Sequence, residues 1–214
     1  MRYICIFDAQ QICMNNAKLK SSFYLQSDTV GIAKALLGKK LVSNIDGFMT
    51  AGIICETEAY CGTTDRGCHA YNGRYTERTK IMYAAGGVSY IYICYGIHHL
   101  FNVVTHVGGE PHAILIRAIE ATDGLAHIQK RRGKSVAHTA LGAGPGLVSV
   151  CLGLTTKYNG ESLLGDSIWI EDAEPLADVD IISGPRVGMN FSGPYKTIPW
   201  RFRILDSPFT SKAH

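Results

Sequence analysis

The spacing of apolar residues changes period several times along the chain, and the changes divide it into elements. Val30, Ala33 and Leu37 recur at helical spacing. Ser27-Asp28 stands before them as an N-cap and Gly38 after them as a stop, which predicts a helix. The period then shortens to that of strands. Leu41–Asn44 and Gly52–Glu56 flank Asp46-Gly47, the composition of a hairpin turn. Residues 61–80 are polar and carry Arg66, Arg74, Arg78 and Lys80. They predict a long loop, a kind of segment that is often functional in a compact domain. Gly86-Gly87 turns the chain into Val88–Tyr95, a run of Val, Ile and Tyr with strong strand preference. Asn102–Thr105 follows as a strand, so Tyr95–His99 falls at an exposed hairpin tip. His112–Ile119 is a further strand.

Thr122 is positioned to cap a helix with Leu125, Ile128 and Gln129 inward. Lys130-Arg131-Arg132 closes that helix, where cations suit the helix dipole. Gly144-Pro145 opens a second apolar helix through Leu154, with proline in the first turn. Ser167–Glu171 and Arg201–Leu205 read as strands; around the latter Trp200, Phe202 and Ile204 alternate with Arg201 and Arg203. Residues 1–26 hold no sustained period. Tyr3–Phe7 reads as a short strand and Gln10–Lys20 as a mobile polar arm. Without repeat or linker, the chain divides into an N-terminal extension, 1–26, and one α+β domain, 27–210.

Composition narrows the class. The 214 residues suffice for one sizeable core. Hydrophobic residues at 46% and charged residues at 18% exclude a disordered chain. The 23 glycines against 7 prolines fit a strand-rich fold with many turns. A net charge of +3 permits nucleic-acid binding without requiring it. The seven cysteines include no Cys-x-x-Cys pair and read as reduced thiols of a cytoplasmic protein. Cys61, Cys68 and His69 lack a second close-spaced pair to complete a tetrahedral site, so no metal is expected. No run approaches the ~18 apolar residues of a membrane helix, and the start is too quickly interrupted for a signal peptide.

The candidate chemistry lies in forty residues: Glu56-Thr-Glu58-Ala-Tyr60, His69, and Tyr90-Ile-Tyr92-Ile-Cys-Tyr95-Gly96. Carboxylates manage protons at a scissile bond or an activated water. Aromatic faces hold a flat ring such as a nucleobase. In a strand Glu56 and Glu58 share one face, and either one can serve as a base; two solvated surface acids are the plainer alternative. Tyr90 and Tyr92 also share a face, with Tyr90 read as core. Tyr95 has opposite parity and, at a hairpin tip, has little to pack against unless a partner arrives. Wedges of this kind enter between bases from the minor groove. Arg117 lies in an apolar strand and therefore needs an anionic partner. Asn102, at the start of its strand, also fits a turn-ending residue. Phosphate-loop and nucleophile-elbow motifs are absent.

Taken together these residues resemble the alkyladenine (3-methyladenine) DNA glycosylase family of animals and bacteria. The matching run is Glu56-Thr-Glu-Ala-Tyr60-x-Gly62, His69, Gly73-Arg74-x-Thr76, then Gly87-x-x-Tyr90-x-Tyr92-x-x-Tyr95-Gly96 and Asn102. Leu115-Ile-Arg117-Ala118, Gly144-Pro145, Pro185-Arg186-x-Gly188 and Pro199-Trp-Arg-Phe202 continue it in order, from about Asp28 to Phe209. The resemblance implies a single α+β domain with a curved antiparallel sheet, flanking helices and a protruding hairpin. It implies Glu58 as the base that activates water, with Arg117 holding that water or Glu58. Tyr60, His69, Tyr92 and Asn102 would surround an extruded base, Asn102 opposing the amino group of guanine. Tyr95 would fill the gap left in the duplex.

The implied activity is repair of alkylated or deaminated purines in double-stranded DNA by a monomer without metal or organic cofactor. Where the family places a small residue and then Lys after Gly-Pro, this chain has Gly146-Leu147; where it often has Pro, this chain has Glu77. A lesion-binding protein without turnover and a hydrolase of free nucleosides remain as alternatives. An exposed Tyr95 disfavours the second, and a Glu58 pointing away from Tyr60 and Tyr92 would favour a domain whose tyrosines merely pack.

Overall fold

A computed structural model describes residues 17–133 and 135–212. Two short helices lead the chain, α1 (Ser21–Tyr24) and α2 (Thr29–Ala35). Asp28 caps α2 by accepting the Gly31 N–H at 2.8 Å. A hairpin follows, β1 (Lys40–Ile45) and β2 (Phe48–Cys61), joined at Asp46-Gly47. Both turn residues take positive φ, as a two-residue hairpin turn demands. After the long loop come β3 (Ser89–Cys94), β4 (His98–Thr105) and β5 (His112–Asp123). Helices α3 (Leu125–Arg132) and α4 (Pro145–Leu152) precede β6 (Ile168–Glu171), β7 (Ile181–Gly184), α5 (Pro194–Thr197) and β8 (Arg201–Ile204).

The strands form one antiparallel sheet in the order β3-β4-β5-β2-β1-β6, to which β8 and β7 add beside β2. The expected α+β architecture is therefore present, and β2 is its spine. One edge of β2 pairs with β5 along most of its length. The other edge pairs with β1 over Phe48–Ile53 and with β8 over Glu56–Glu58. Register shifts against β5 fall on both sides of Glu56, where the partner changes. Bulges there bend the strand and re-aim its side chains. Near this bend β2 and β5 approach closely at Gly52: a Cβ would lie 2.7 Å from the Glu120 carbonyl oxygen. The main core lies between the sheet and the helices, with Ile54, Phe101, Ile114, Ile116 and Phe202 buried. Thr57 donates to the Ala33 carbonyl at 2.8 Å and ties β2 to α2. A second cluster around Cys68, Met82, Tyr90 and Val104 lies under the long loop.

Several boundaries differ from expectation. Strand β5 runs on to Asp123, so Thr122 caps no helix and instead donates to Asp123 at 2.7 Å. Helix α3 starts after Gly124, which has positive φ. Ile128 is buried as expected, whereas Leu125 is exposed. Arg131 donates to the Cys151 carbonyl at 2.8 Å, so this part of the basic cluster closes α4. Helix α4 stops two residues early because Gly153 takes positive φ. Strand β7 is not signalled by the sequence, since Ile181-Ile182-Ser183-Gly184 shows no alternation of apolar and polar positions. The strand expected at Tyr3–Phe7 lies outside the described residues. The polar arm expected over Gln10–Lys20 is described only from Ala17. There Leu19 donates its N–H to the Ile170 carbonyl at 2.8 Å, and Leu19 and Tyr24 join the main core.

This packing predicts that residues 17–24 belong to the cooperative unit. Leu19→Ala should lower unfolding stability by about 2–4 kcal/mol, the usual range for a buried leucine. A change below about 0.5 kcal/mol in denaturant titration, typical of surface substitutions, would show that the segment is not part of that unit.

Candidate active site

Strand β2 carries Glu56 and Glu58 on one face, both with no solvent exposure. Burying two carboxylates side by side requires cations between them. Arg117, from β5, supplies one. Its Nε donates to Glu56 at 3.0 Å, and its Nη1 lies 3.3 Å from Glu58. Arg201, on β8, donates to Glu56 at 2.6 Å. Ser211 adds its backbone N–H at 2.7 Å and its hydroxyl at 3.0 Å. Glu56 thus receives four donors, three of them at Oε1. Glu58 has three partners: it accepts the Tyr60 hydroxyl at Oε2 and the Val187 N–H at Oε1, both at 2.8 Å, and Arg117 faces Oε1 as an ion pair. With about four lone-pair directions on a carboxylate, Glu58 keeps one open toward the described residues. All three of its partners line the cavity described next, whereas Arg201 and Ser211 on Glu56 do not. Burial, then the charge of Glu58, holds the Tyr60 hydroxyl well above its ordinary pKa, which keeps its proton available for donation.

Tyr60, Arg117 and Val187 line a cavity of about 310 Å³, and the Glu58 carboxylate sits directly behind them. The volume is in the range of small-molecule sites. Its other walls include His69, Tyr90, Tyr92 and Asn102. The Tyr90 and Tyr92 rings lie 5.3 Å apart, and the His69 ring meets Tyr92 edge-on at 4.7 Å. Arg78 donates to His69 Nε2 at 3.1 Å. Because a guanidinium only donates, Nε2 is the acceptor, Nδ1 carries the proton, and Nδ1 donates to the Tyr90 hydroxyl at 2.8 Å. Burial, then the charges of Arg78 and Arg74, pulls the His69 pKa down to about 4. The imidazole is therefore neutral at physiological pH. Asn102 is buried, and its amide donates to the carbonyls of Tyr90 at 3.0 Å and Leu100 at 3.2 Å.

Tyr95 marks the rim of the cavity at the tip of the β3–β4 hairpin. Its side chain is 89% exposed, and Ile97 beside it is 72% exposed. Tyr95 and Gly96 both take positive φ, and the Ile97 N–H closes the turn on the Cys94 carbonyl at 3.2 Å. Glu77, on the loop, is paired with Lys80 at 2.5 Å.

The structure brings Tyr60, His69, Tyr92, Asn102 and Arg117 around one cavity, with Tyr95 at its edge; Glu58 is no part of the lining and meets the cavity only through its bonds to Tyr60 and Val187 and its ion pair with Arg117. Tyr90, expected as core, is buried but also lines the cavity. Sequence reasoning missed Val187, Arg186, Asp65 and the contact of Arg78 with His69. The Pro185-Arg186-x-Gly188 motif was the only signal for the first two. No helix among the described residues is long and apolar enough to cross a membrane.

Comparison with known proteins places the chain in a family. The profile of the methylpurine-DNA glycosylase (MPG) family matches residues 22–208. A Chlamydia felis protein named "Putative 3-methyladenine DNA glycosylase" is 45% identical over 187 residues, 87% of this chain and 95% of its own length. A Bacillus cereus (strain G9842) protein of the same name is 41% identical over 200 residues, 89% of this chain and 97% of its own length. With its profile matched over most of the length, and with these relatives, the chain belongs to the methylpurine-DNA glycosylase family.

Proposed function

We propose that this protein is a monofunctional DNA repair glycosylase that excises alkylated or deaminated purines from double-stranded DNA as a monomer. The observation that carries the reading is the fully buried Glu58, held by two hydrogen bonds and an ion pair behind an aromatic cavity whose rim bears an almost fully exposed tyrosine. A target base reaches such a cavity only by leaving the stack, which costs a few kcal/mol and least for a damaged base. Tyr95 enters the gap and offsets part of that cost. The flipped ring stacks among Tyr60, His69 and Tyr92. A cationic alkylpurine gains roughly 0.5–2 kcal/mol from a tyrosine face. Asn102 presents a fixed polar group against the exocyclic amino group of guanine.

The chemical step is hydrolysis of the N-glycosidic bond. As that bond stretches, positive charge develops on the sugar, and a nearby carboxylate stabilises it. The open lone pair of Glu58 accepts a proton from water as water attacks the anomeric carbon. Tyr60 and Arg117 hold the carboxylate in place. The base leaves with the bonding electrons, and an abasic site remains. A cationic alkylpurine departs as a neutral base and needs no protonation. No lysine occupies a matching motif position, so the reaction ends at the abasic site. Exposure of Tyr95 disfavours a hydrolase of free nucleosides, for which an unpacked wedge has no use.

Glu58→Gln removes the proton acceptor and keeps the shape. Single-turnover release of 3-methyladenine or hypoxanthine from a lesion duplex should fall about 10²–10⁴-fold, the usual contribution of a general base. If wild type produces no alkali-labile abasic sites on any alkylated or deaminated purine, the enzyme reading is wrong. Unchanged release by the variant would discard Glu58 as base.

Tyr95→Ser should weaken binding to lesion duplexes much more than to lesion-bearing single strands, where no gap has to be filled. Equal losses on both substrates would remove the wedge role.

The folded pKa of His69 lies below its ordinary value, so protonation favours unfolding. Its stabilisation is complete above about pH 6.5 and declines as pH falls toward about 4. By NMR the ring should stay in its neutral Nδ1–H form down to about pH 5, and His69→Gln should flatten that part of the stability profile. Titration of the ring near pH 6.5 would contradict the buried, arginine-flanked environment.

A further inference from the structure

Arg186 has no role in the steps above, yet its side chain is built into the wall behind the cavity. It is buried, and its guanidinium grips the equally buried Asp65 with two bonds of 2.6 and 2.7 Å. It also donates to the Ala59 carbonyl of β2 at 2.9 Å and to the Tyr195 carbonyl at 3.3 Å. Its planar group lies 4.7 Å from the Tyr60 ring centre and 5.3 Å from that of Trp200. Asp65 uses the same two oxygens to accept the N–H groups of Cys61 at 3.0 Å and Gly67 at 2.8 Å. Gly67 is needed there: a Cβ would lie 2.7 Å from Arg186 Nη2. One ion pair therefore joins the end of β2, the loop that leads to His69, and the segment that carries Val187.

Glu58 depends on that junction. Both hydrogen bonds that Glu58 accepts lead back to it: the Tyr60 hydroxyl comes from the ring that Arg186 backs, and the Val187 N–H comes from the next residue after Arg186. Only Arg117 reaches Glu58 from elsewhere. We propose that Arg186, clamped by Asp65, is a positioning residue for base excision: it sets Tyr60 and Val187, and through them the direction of the open lone pair of Glu58. A fork is required for this task. A lysine ammonium can neutralise Asp65, but it lacks the planar fork that bonds both oxygens at once while the same group lies beside two rings. The inference rests on the glycosylase reading proposed above.

The test uses the full chain and single-turnover excision from a duplex with one hypoxanthine or one 3-methyladenine, with wild type and Glu58→Gln beside the variants. Inactive wild type on both lesions would be a failure of the glycosylase reading itself. With active wild type, Arg186→Lys keeps the ion pair and should fold, yet excise about 10–100-fold more slowly. The double variant Asp65→Asn/Arg186→Met removes both charges together and avoids leaving one buried alone; it should be at least as slow. Affinity for the lesion duplex should change less than about threefold in Arg186→Lys, which separates positioning from DNA binding. Millimolar guanidinium should restore part of the rate of Arg186→Ala and none of that of Glu58→Gln. In a Tyr60→Phe background Arg186→Lys should cost less than in wild type, because one of its two routes to Glu58 is already broken. Arg186→Lys at the wild-type rate overturns the proposal. So does a rate loss matched by an equal loss of affinity, or a cost undiminished by Tyr60→Phe.

Discussion

Two carboxylates with no access to water lie two residues apart on one strand, and the rest of the molecule is arranged around that fact. Buried and unpaired, each would be heavily penalised. Arg117 lies between them and bonds or approaches both, at 3.0 and 3.3 Å. Arg201 brings β8 against β2 to reach Glu56, and Ser211 brings the end of the described chain to the same oxygens. The bulges on β2 fall at this place, where the strand exchanges one neighbour for another. The bend, the attachment of β8 to β2 and the course of the last described segment all serve to accommodate one acidic pair. The pair is retained despite that cost, which is expected where a site needs a charge that water does not screen.

The same network places the two glutamates differently with respect to the cavity. Glu56 is held by Arg201 and Ser211, which lie outside its wall, as well as by Arg117. The partners of Glu58 are Tyr60, Val187 and Arg117, and all three line it. On the proposed function, that placement gives Glu58 the part of proton acceptor and leaves Glu56 to anchor the pair. Strand parity had placed both on one face and could not choose between them, because parity reports direction and not which partners converge from elsewhere.

Legibility in the sequence followed the range of the interactions. The cap at Asp28, the Asp46-Gly47 turn and the strand character of Val88–Tyr95 depend on neighbours in the chain, and they could be read. Tyr95 was legible too, since a hairpin tip is a local feature and its exposure follows from having no element beyond it. The helix start after Gly124 was misread because Thr122 is a good cap by type, while the pairing of Ala51 with Asp123 kept that stretch in the sheet. Tertiary pairing overrode a local preference. The least legible residues were Asp65, Arg186 and Val187. Asp65 and Arg186 stand 121 positions apart in the chain, and no periodicity links them. A motif marked Arg186 as significant, but only the assembled fold shows what it touches.

Charge and shape together indicate how such a site would grip a duplex. A net charge of +3 is modest for a protein whose affinity comes from neutralising phosphates. Leu147 offers no cation near the start of α4, and Lys80 already spends its charge on Glu77. The β3–β4 hairpin, for its part, exposes Tyr95, Ile97 and Ile93 together. Tyr95 is also held in a left-handed backbone conformation that an aromatic residue seldom adopts, and such strain persists where surrounding structure enforces it. An apolar tip of this kind gains little until a base pair opens beneath it. On the proposed function, binding is then weighted toward places where the stack is already weakened, and a damaged or mispaired base is such a place. A weak general attraction and a strong local wedge favour a search that passes over sound DNA and stops at lesions.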